Sequence, residues 1–126
     1  MDTGRLGVWY FFEALPAAAA AEAAQRIESL GYGTLWIPET VGRHPFVHAS
    51  WLLANTGKLN VATGIANIYH REPGVTLAGQ NALNEQSNGC FLLGLGVSHK
   101  PLVEGVRGLN YGPPVATMKK YLAGMA

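Results

Sequence analysis

Glu39, Asn67, Tyr69, His70, Ser98 and His99 are the residues of this chain whose types could do chemistry. Carboxylates, imidazoles and hydroxyls move protons or fix a polar ligand. Each of these residues stands just past an apolar run: "TLWIPET" ends in Glu39 and Thr40, "VATGIANIYH" in Asn67, Tyr69 and His70, and "GLGVSH" in Ser98 and His99. Glu13 follows "LGVWYFF" in the same way. Polar groups gathered at run ends also arise when strand ends are merely wet, so position alone assigns no reaction.

Sharper motifs fail one by one. "GVSHK" has Lys100 where the nucleophile elbow G-x-S-x-G needs its second glycine, so a serine hydrolase is not expected. His44 and His48 are four apart and could share a helical face, but "HPFVH" lacks the glutamate of H-E-x-x-H. A capping or surface role is expected for them, and no metal site. Cys90 has no C-x-x-C partner and is read as a small buried side chain.

Two glycine positions are of another kind. Gly64 interrupts a β-branched run beside Ile65, where a glycine weakens a strand unless a bulge or a close approach is wanted. Gly94 and Gly96, followed by Val97, Ser98 and His99, let backbone come close to a ligand and could form an anion nest from successive N–H groups.

The elements that must hold these residues follow a beat. "LGVWYFF" is apolar on both parities, as for a strand buried on both faces. Pro16 opens a helix in which Ala20, Ala23, Ile27 and Leu30 recur at helical spacing, and Gly31 stops it. Strands over 34–38, 59–65 and 90–96 follow, alternating with helices over 45–55, 73–86 and 114–122. The strands begin near residues 6, 34, 59 and 90, about 25 to 31 residues apart. Such alternation implies right-handed βαβ crossovers and a parallel sheet. A (β/α)₈ barrel spends roughly 30 residues per unit, and the first strand here leads into "EALPAAAAA" rather than the G-x-G-x-x-G of a doubly wound nucleotide fold. The expected fold is therefore α/β, a parallel (β/α)4 half of a TIM (β/α)8 barrel, with residues 1–126 as one unit without internal boundary. Ligands of parallel folds meet the carboxyl ends of strands, which is the rim that Glu39, Asn67, Ser98 and His99 occupy. The opposite rim holds Arg5, Lys58, Asn60 and Cys90.

Totals remove several classes. With 48% hydrophobic and 13% charged residues the chain is neither disordered nor a polyelectrolyte. A net charge of +1 without a Lys/Arg cluster argues against nucleic acid. No run approaches the roughly 20 apolar residues that cross a bilayer, so no membrane partner is expected. One cysteine and the absence of a basic, then apolar, N-terminal leader suit a cytoplasmic location.

"LGVWYFF", "LGYGTLWIPE", "VATGIANI" and "FLLGLGVSH", in this order over nearly the whole chain, resemble the luciferase-like monooxygenase family, nearest to its branch of oxidoreductases that use the deazaflavin coenzyme F420. The resemblance implies the N-terminal half of a complete barrel and hydride transfer between a small-molecule substrate and coenzyme F420, with FMN as the alternative. It places a non-prolyl cis peptide of the closed barrel at Gly64–Ile65, in a bulge behind the cofactor ring. By the same resemblance Asn67, Gly96, Val97, Ser98 and His99 lie along the cofactor. Family members that follow the second strand with an acid and then a histidine use the histidine as acid or base. Here Thr40 takes that place, which leaves Glu39 and then His99 as proton carriers, and His70 as a surface residue. Half a barrel would leave strand edges and interior side chains uncovered, so a homodimer or a C-terminal half-barrel partner is expected. The second reading is a non-catalytic remnant or assembly module.

Overall fold

Registered rows of side chains explain why this sheet has two unlike faces. In the computed structural model, which describes residues 1–126, the strands are β1 (Gly7–Trp9), β2 (Thr34–Ile37), β3 (Asn60–Thr63), β4 (Ala66–Asn67), β5 (Phe91–Leu92) and β6 (Leu95–Gly96). The helices are α1 (Ala17–Ser29), α2 (Pro45–Ala54), α3 (Pro73–Ser87) and α4 (Pro114–Met125), with a π-helical turn over Pro101–Val106. The main sheet is parallel in the order β1-β2-β3-β5. Strand order follows chain order without reversal, so right-handed crossovers place their helices on a single face. This is half of a (β/α)8 barrel and not a doubly wound sheet.

Val8, Leu35, Val61 and Phe91 are register partners and form one row toward the helices. Leu35, Val61 and Phe91 are almost wholly buried there with Leu52, Leu83 and the small residues Ala20, Ala24 and Ala49. Burial of each large side chain contributes about 1.5–3 kcal/mol. The adjacent row, Trp9, Trp36, Ala62 and Leu92, occupies the other, concave face, which no helix of the chain covers.

That bare face corrects the expectation for "LGVWYFF". Its strand is only three residues long, and Trp9, Tyr10 and Phe11 are 57%, 47% and 42% exposed. The apolar residues are present, but the layer that would bury them is not supplied by these residues. Leu30, expected on the buried stripe of α1, is exposed for lack of a neighbour, and Ala21 and Ala24 are buried instead.

Local chemistry sets the breaks. Asn88 (φ 53°) and Gly89 (φ 83°) turn the chain after α3, as glycine and asparagine can in the left-handed region. The third and fourth strands are each split: β3 pairs with β5, and beyond the interruption β4 pairs with β6. The Thr63 hydroxyl donates to the Gly94 carbonyl (2.8 Å) and accepts from Gly94 N–H (2.9 Å), pinning the two strands where they break. A Cβ on Gly94 would lie 2.0 Å from the Thr63 carbonyl oxygen, so only glycine fits this crossing. The Gly64–Ile65 peptide is cis.

Candidate functional site

Glu39 leaves the C-terminal end of β2 and is held by the next strand, its N–H donating to the Ile65 carbonyl at 3.1 Å. Its carboxylate receives four hydrogen bonds. Oε1 accepts from His70 Nδ1 (2.7 Å) and Arg71 Nη1 (3.0 Å), and Oε2 from Arg71 Nη2 (2.5 Å) and Asn67 N–H (2.7 Å). The Glu39 and Arg71 side chains are only 5% and 7% exposed. Burial alone would raise the Glu39 pKa, but the donors from Arg71, Asn67 and His70 outweigh it and hold the carboxyl below its ordinary range.

The same network fixes His70. Asn67 Oδ1 accepts from Tyr69 N–H (2.9 Å), which turns Asn67 Nδ2 toward His70 Nε2 at 3.3 Å. Nδ2 is a donor, so Nε2 must accept, and the ring carries its proton on Nδ1 toward Glu39. Arg71 is clamped from three sides. Its guanidinium lies 5.0 Å from the Phe46 ring centroid, its Nη2 reaches the Asn67 carbonyl (3.4 Å), and its own carbonyl accepts from Tyr121 of α4 (2.8 Å). Tyr121 also pairs with the buried Thr76 hydroxyl.

His70 thus stands in the site and not on the surface. The sequence places His70 at this rim, but the resemblance sets it aside as a surface residue and gives Arg71 no role. The one available signal was electrostatic: a glutamate ending a buried strand requires a cation nearby, and Arg71 is the cation at the neighbouring strand end. His44 caps α2, its Nδ1 accepting from the N–H groups of Phe46 and Val47 (3.2 and 3.4 Å), in keeping with the capping role read from the sequence. His48 is buried against the Phe12 ring, and desolvation, then the charge of Arg43, pushes its pKa down to about 4.

Beside this network lies a flatter patch. Ile65, 36% exposed, packs against β6 at Gly96, where a Cβ would come within 2.5 Å of the Ile65 side chain. The Trp9 indole donates to the Gly64 carbonyl (2.9 Å). A Cβ on Gly64 would meet Trp9 and Trp36 at an ordinary 3.5 Å, so packing within this chain does not demand glycine there. After β6 the N–H groups of Val97, Ser98 and His99 make no hydrogen bond within the chain. Ser98 has φ +56°, and its carbonyl accepts from Tyr111 (3.2 Å). The structure therefore brings Glu39, Gly64, Ile65, Asn67 and Gly96 together through direct contacts. His99 is exposed, without a side-chain hydrogen bond to this group.

A parallel half-barrel with its polar groups on the C-terminal rim sets the fold class, and sequence comparison narrows it. Residues 3–125 match the family model of the luciferase-like monooxygenases, and the chain belongs to that family. A Mycobacterium tuberculosis protein named as a coenzyme F420-dependent oxidoreductase is 28% identical over 118 residues, covering 94% of this chain and 33% of its own length. The F420-dependent tetrahydromethanopterin reductase of Methanopyrus kandleri superposes with a TM-score of 0.83 at 17% identity, over 95% of this chain and 38% of that one. The oxygenating constituent of 3,6-diketocamphane monooxygenase from Pseudomonas putida, solved with FMN, gives 0.78 at 14% identity, over 95% and 39%. This chain spans about a third of the length of the curated relatives it matches. No helix in it is long and apolar enough to cross a membrane.

Proposed function

We propose that this chain is the N-terminal half of the cofactor cradle of an F420-dependent oxidoreductase, with FMN the alternative ligand, acting on a small molecule. The observation that carries this reading is the juxtaposition of Ile65, lying on Gly96, with the three unpartnered N–H groups of Val97, Ser98 and His99. A planar ring needs an apolar backing and donors along its edge, and these residues offer both at the ends of two neighbouring strands. The relatives' names support a deazaflavin or flavin.

Bound there, the cofactor would supply hydride transfer. Gly64 and Ile65 would back the ring, and Val97, Ser98 and His99 would donate to its edge. Asn67, 2% exposed and bonded to His70 and Tyr69, orients neighbours and holds the bulge. Glu39 keeps its charge and serves as an anchor that sets the His70 tautomer and the Arg71 position, which leaves His99 to carry a proton.

The concave row of Trp9, Trp36, Ala62 and Leu92 and the outer edges of β1 and β5 require a covering layer. We assign that layer to a C-terminal half-barrel, and a homodimer is the other geometry that would supply it. Fluorescence titration of the assembled protein with F420 and with FMN tests the reading: saturable binding supports it, and no binding at high concentration favours a non-catalytic assembly module.

A further inference from the structure

A cavity of about 480 Å³ opens at the Glu39 network, lined by the loop Glu39–His44, by Tyr69–Arg71, and by Arg107 and Leu109. Its size suits a small ligand or one end of a larger one. Three arginines line it, Arg43, Arg71 and Arg107, against one acidic residue, Glu39. That carboxylate is already saturated by four donors. Neither Arg43 nor Arg107 has a side-chain ion pair, and the chain's ion pairs are Glu39 with His70 and Arg71, and Lys100 with Glu104. Arg43 spends its guanidinium on the carbonyls of Phe12 (2.7 Å) and Leu15, while its N–H reaches the Glu13 carboxylate (3.1 Å). Arg107 touches only the Thr40 carbonyl (3.1 Å).

Two buried donors add an independent sign. Arg71 Nε and Thr40 Oγ1 are shielded from solvent and have no hydrogen-bond partner, although the Arg71 side chain is 93% buried. A buried N–H or hydroxyl left without a partner carries its full desolvation cost, and such groups call for an explanation at a site. His44 adds a third donor, because Nδ1 is occupied as an acceptor by the α2 cap and the neutral ring then carries its proton on Nε2.

We propose that this cavity binds an anionic group, a carboxylate or a phosphate, of the molecule that reacts at the rim. Guanidinium donors match both oxyanions in planar, charge-assisted geometry, and the surplus positive charge draws an anion to the one barrel end where the polar rim lies. Only the identity of the molecule that carries the group rests on the redox reading. The anion site stands on the surplus of arginines in the lining and on the unpartnered donors.

The test titrates the protein, without cofactor, with inorganic phosphate and with acetate against chloride at constant ionic strength. The Arg71 Nε–Hε resonance and the thermal midpoint are followed together. A saturable shift of that resonance is expected with at least one anion. Arg107→Gln and Thr40→Val, whose side chains make no hydrogen bond to the buried Glu39–Arg71 pair, should each weaken it about 10-fold, as for one charge-assisted hydrogen bond. Competition between phosphate and F420 or FMN would assign the group to the cofactor, and binding without competition to the substrate. A linear response to both anions, or equal binding by wild type and both variants, overturns the proposal. Loss of F420 and FMN binding with a retained anion response would refute the redox reading alone.

Discussion

Glu39→Gln should be the most damaging single polar substitution in this chain. Each carboxylate oxygen accepts from two donors, so wherever the new amide nitrogen is placed it faces donors, and Arg71 is left as a buried cation without a counter-charge. With side-chain exposures of 5% and 7%, solvent cannot replace the lost partner. Breaking a buried pair by removing one member costs about 3–5 kcal/mol. That is a large share of the 5–15 kcal/mol by which domains are stable. Urea unfolding reads it directly: at a slope of roughly 1–1.5 kcal/mol per molar the midpoint should fall by about 2 M or more. Arg71→Met should cost a similar amount, and Glu39→Gln combined with Arg71→Met much less than the sum, because neither charge is then stranded. The pH dependence has a definite sign. The folded carboxyl titrates below its ordinary 4.5, so its contribution is complete above that value and is lost as pH falls through the folded value. If both single variants shift stability by less than about 1 kcal/mol, the pair is solvated and the reasoning fails.

His48 gives a second acid-side test. It titrates near 4 when folded and near 6.5 when unfolded, so stability is full above 6.5 and falls by about 3 kcal/mol as pH drops toward 4. His48→Gln should flatten that limb of a plot of urea midpoint against pH, and an unchanged slope would contradict it. Gly94→Ala puts a methyl group 2.0 Å from the Thr63 carbonyl oxygen, and circular dichroism should show a markedly lower thermal midpoint. The control Gly64→Ala should change it little, since its Cβ would meet only ordinary contacts at 3.5 Å. Tyr121→Phe removes the hydroxyl shared by Thr76 and the Arg71 carbonyl and should cost about 1–3 kcal/mol by urea unfolding.

The regular part of the architecture was legible because local chemistry dictates it. The strand–helix beat, the glycine and asparagine stops, the His44 cap and the placement of Glu39, Asn67 and Ser98 on one rim all follow from period, capping and crossover handedness. What covers a face is not local. "LGVWYFF" reads as a doubly buried strand, yet Trp9, Tyr10 and Phe11 stay exposed because burial depends on a layer these residues do not include. The splits in the third and fourth strands arise from Gly94 crossing Thr63, a contact between residues 31 apart in the chain. The pairing of His70 and Arg71 with Glu39 escaped for the same reason: the partner is 31 and 32 residues away, and a polar tetrad before a proline carries no periodic signature.

A deazaflavin titration of the assembled protein, wild type beside Gly96→Ala, bears most directly on the cradle. The added methyl group would displace Ile65, 2.5 Å away, while leaving the helix-facing core untouched. The account predicts saturable F420 or FMN binding by the wild type and a loss of about 10-fold or more in the variant, the equivalent of about 1.4 kcal/mol. Equal affinities in the two proteins, or no binding by a fully assembled barrel, would contradict it.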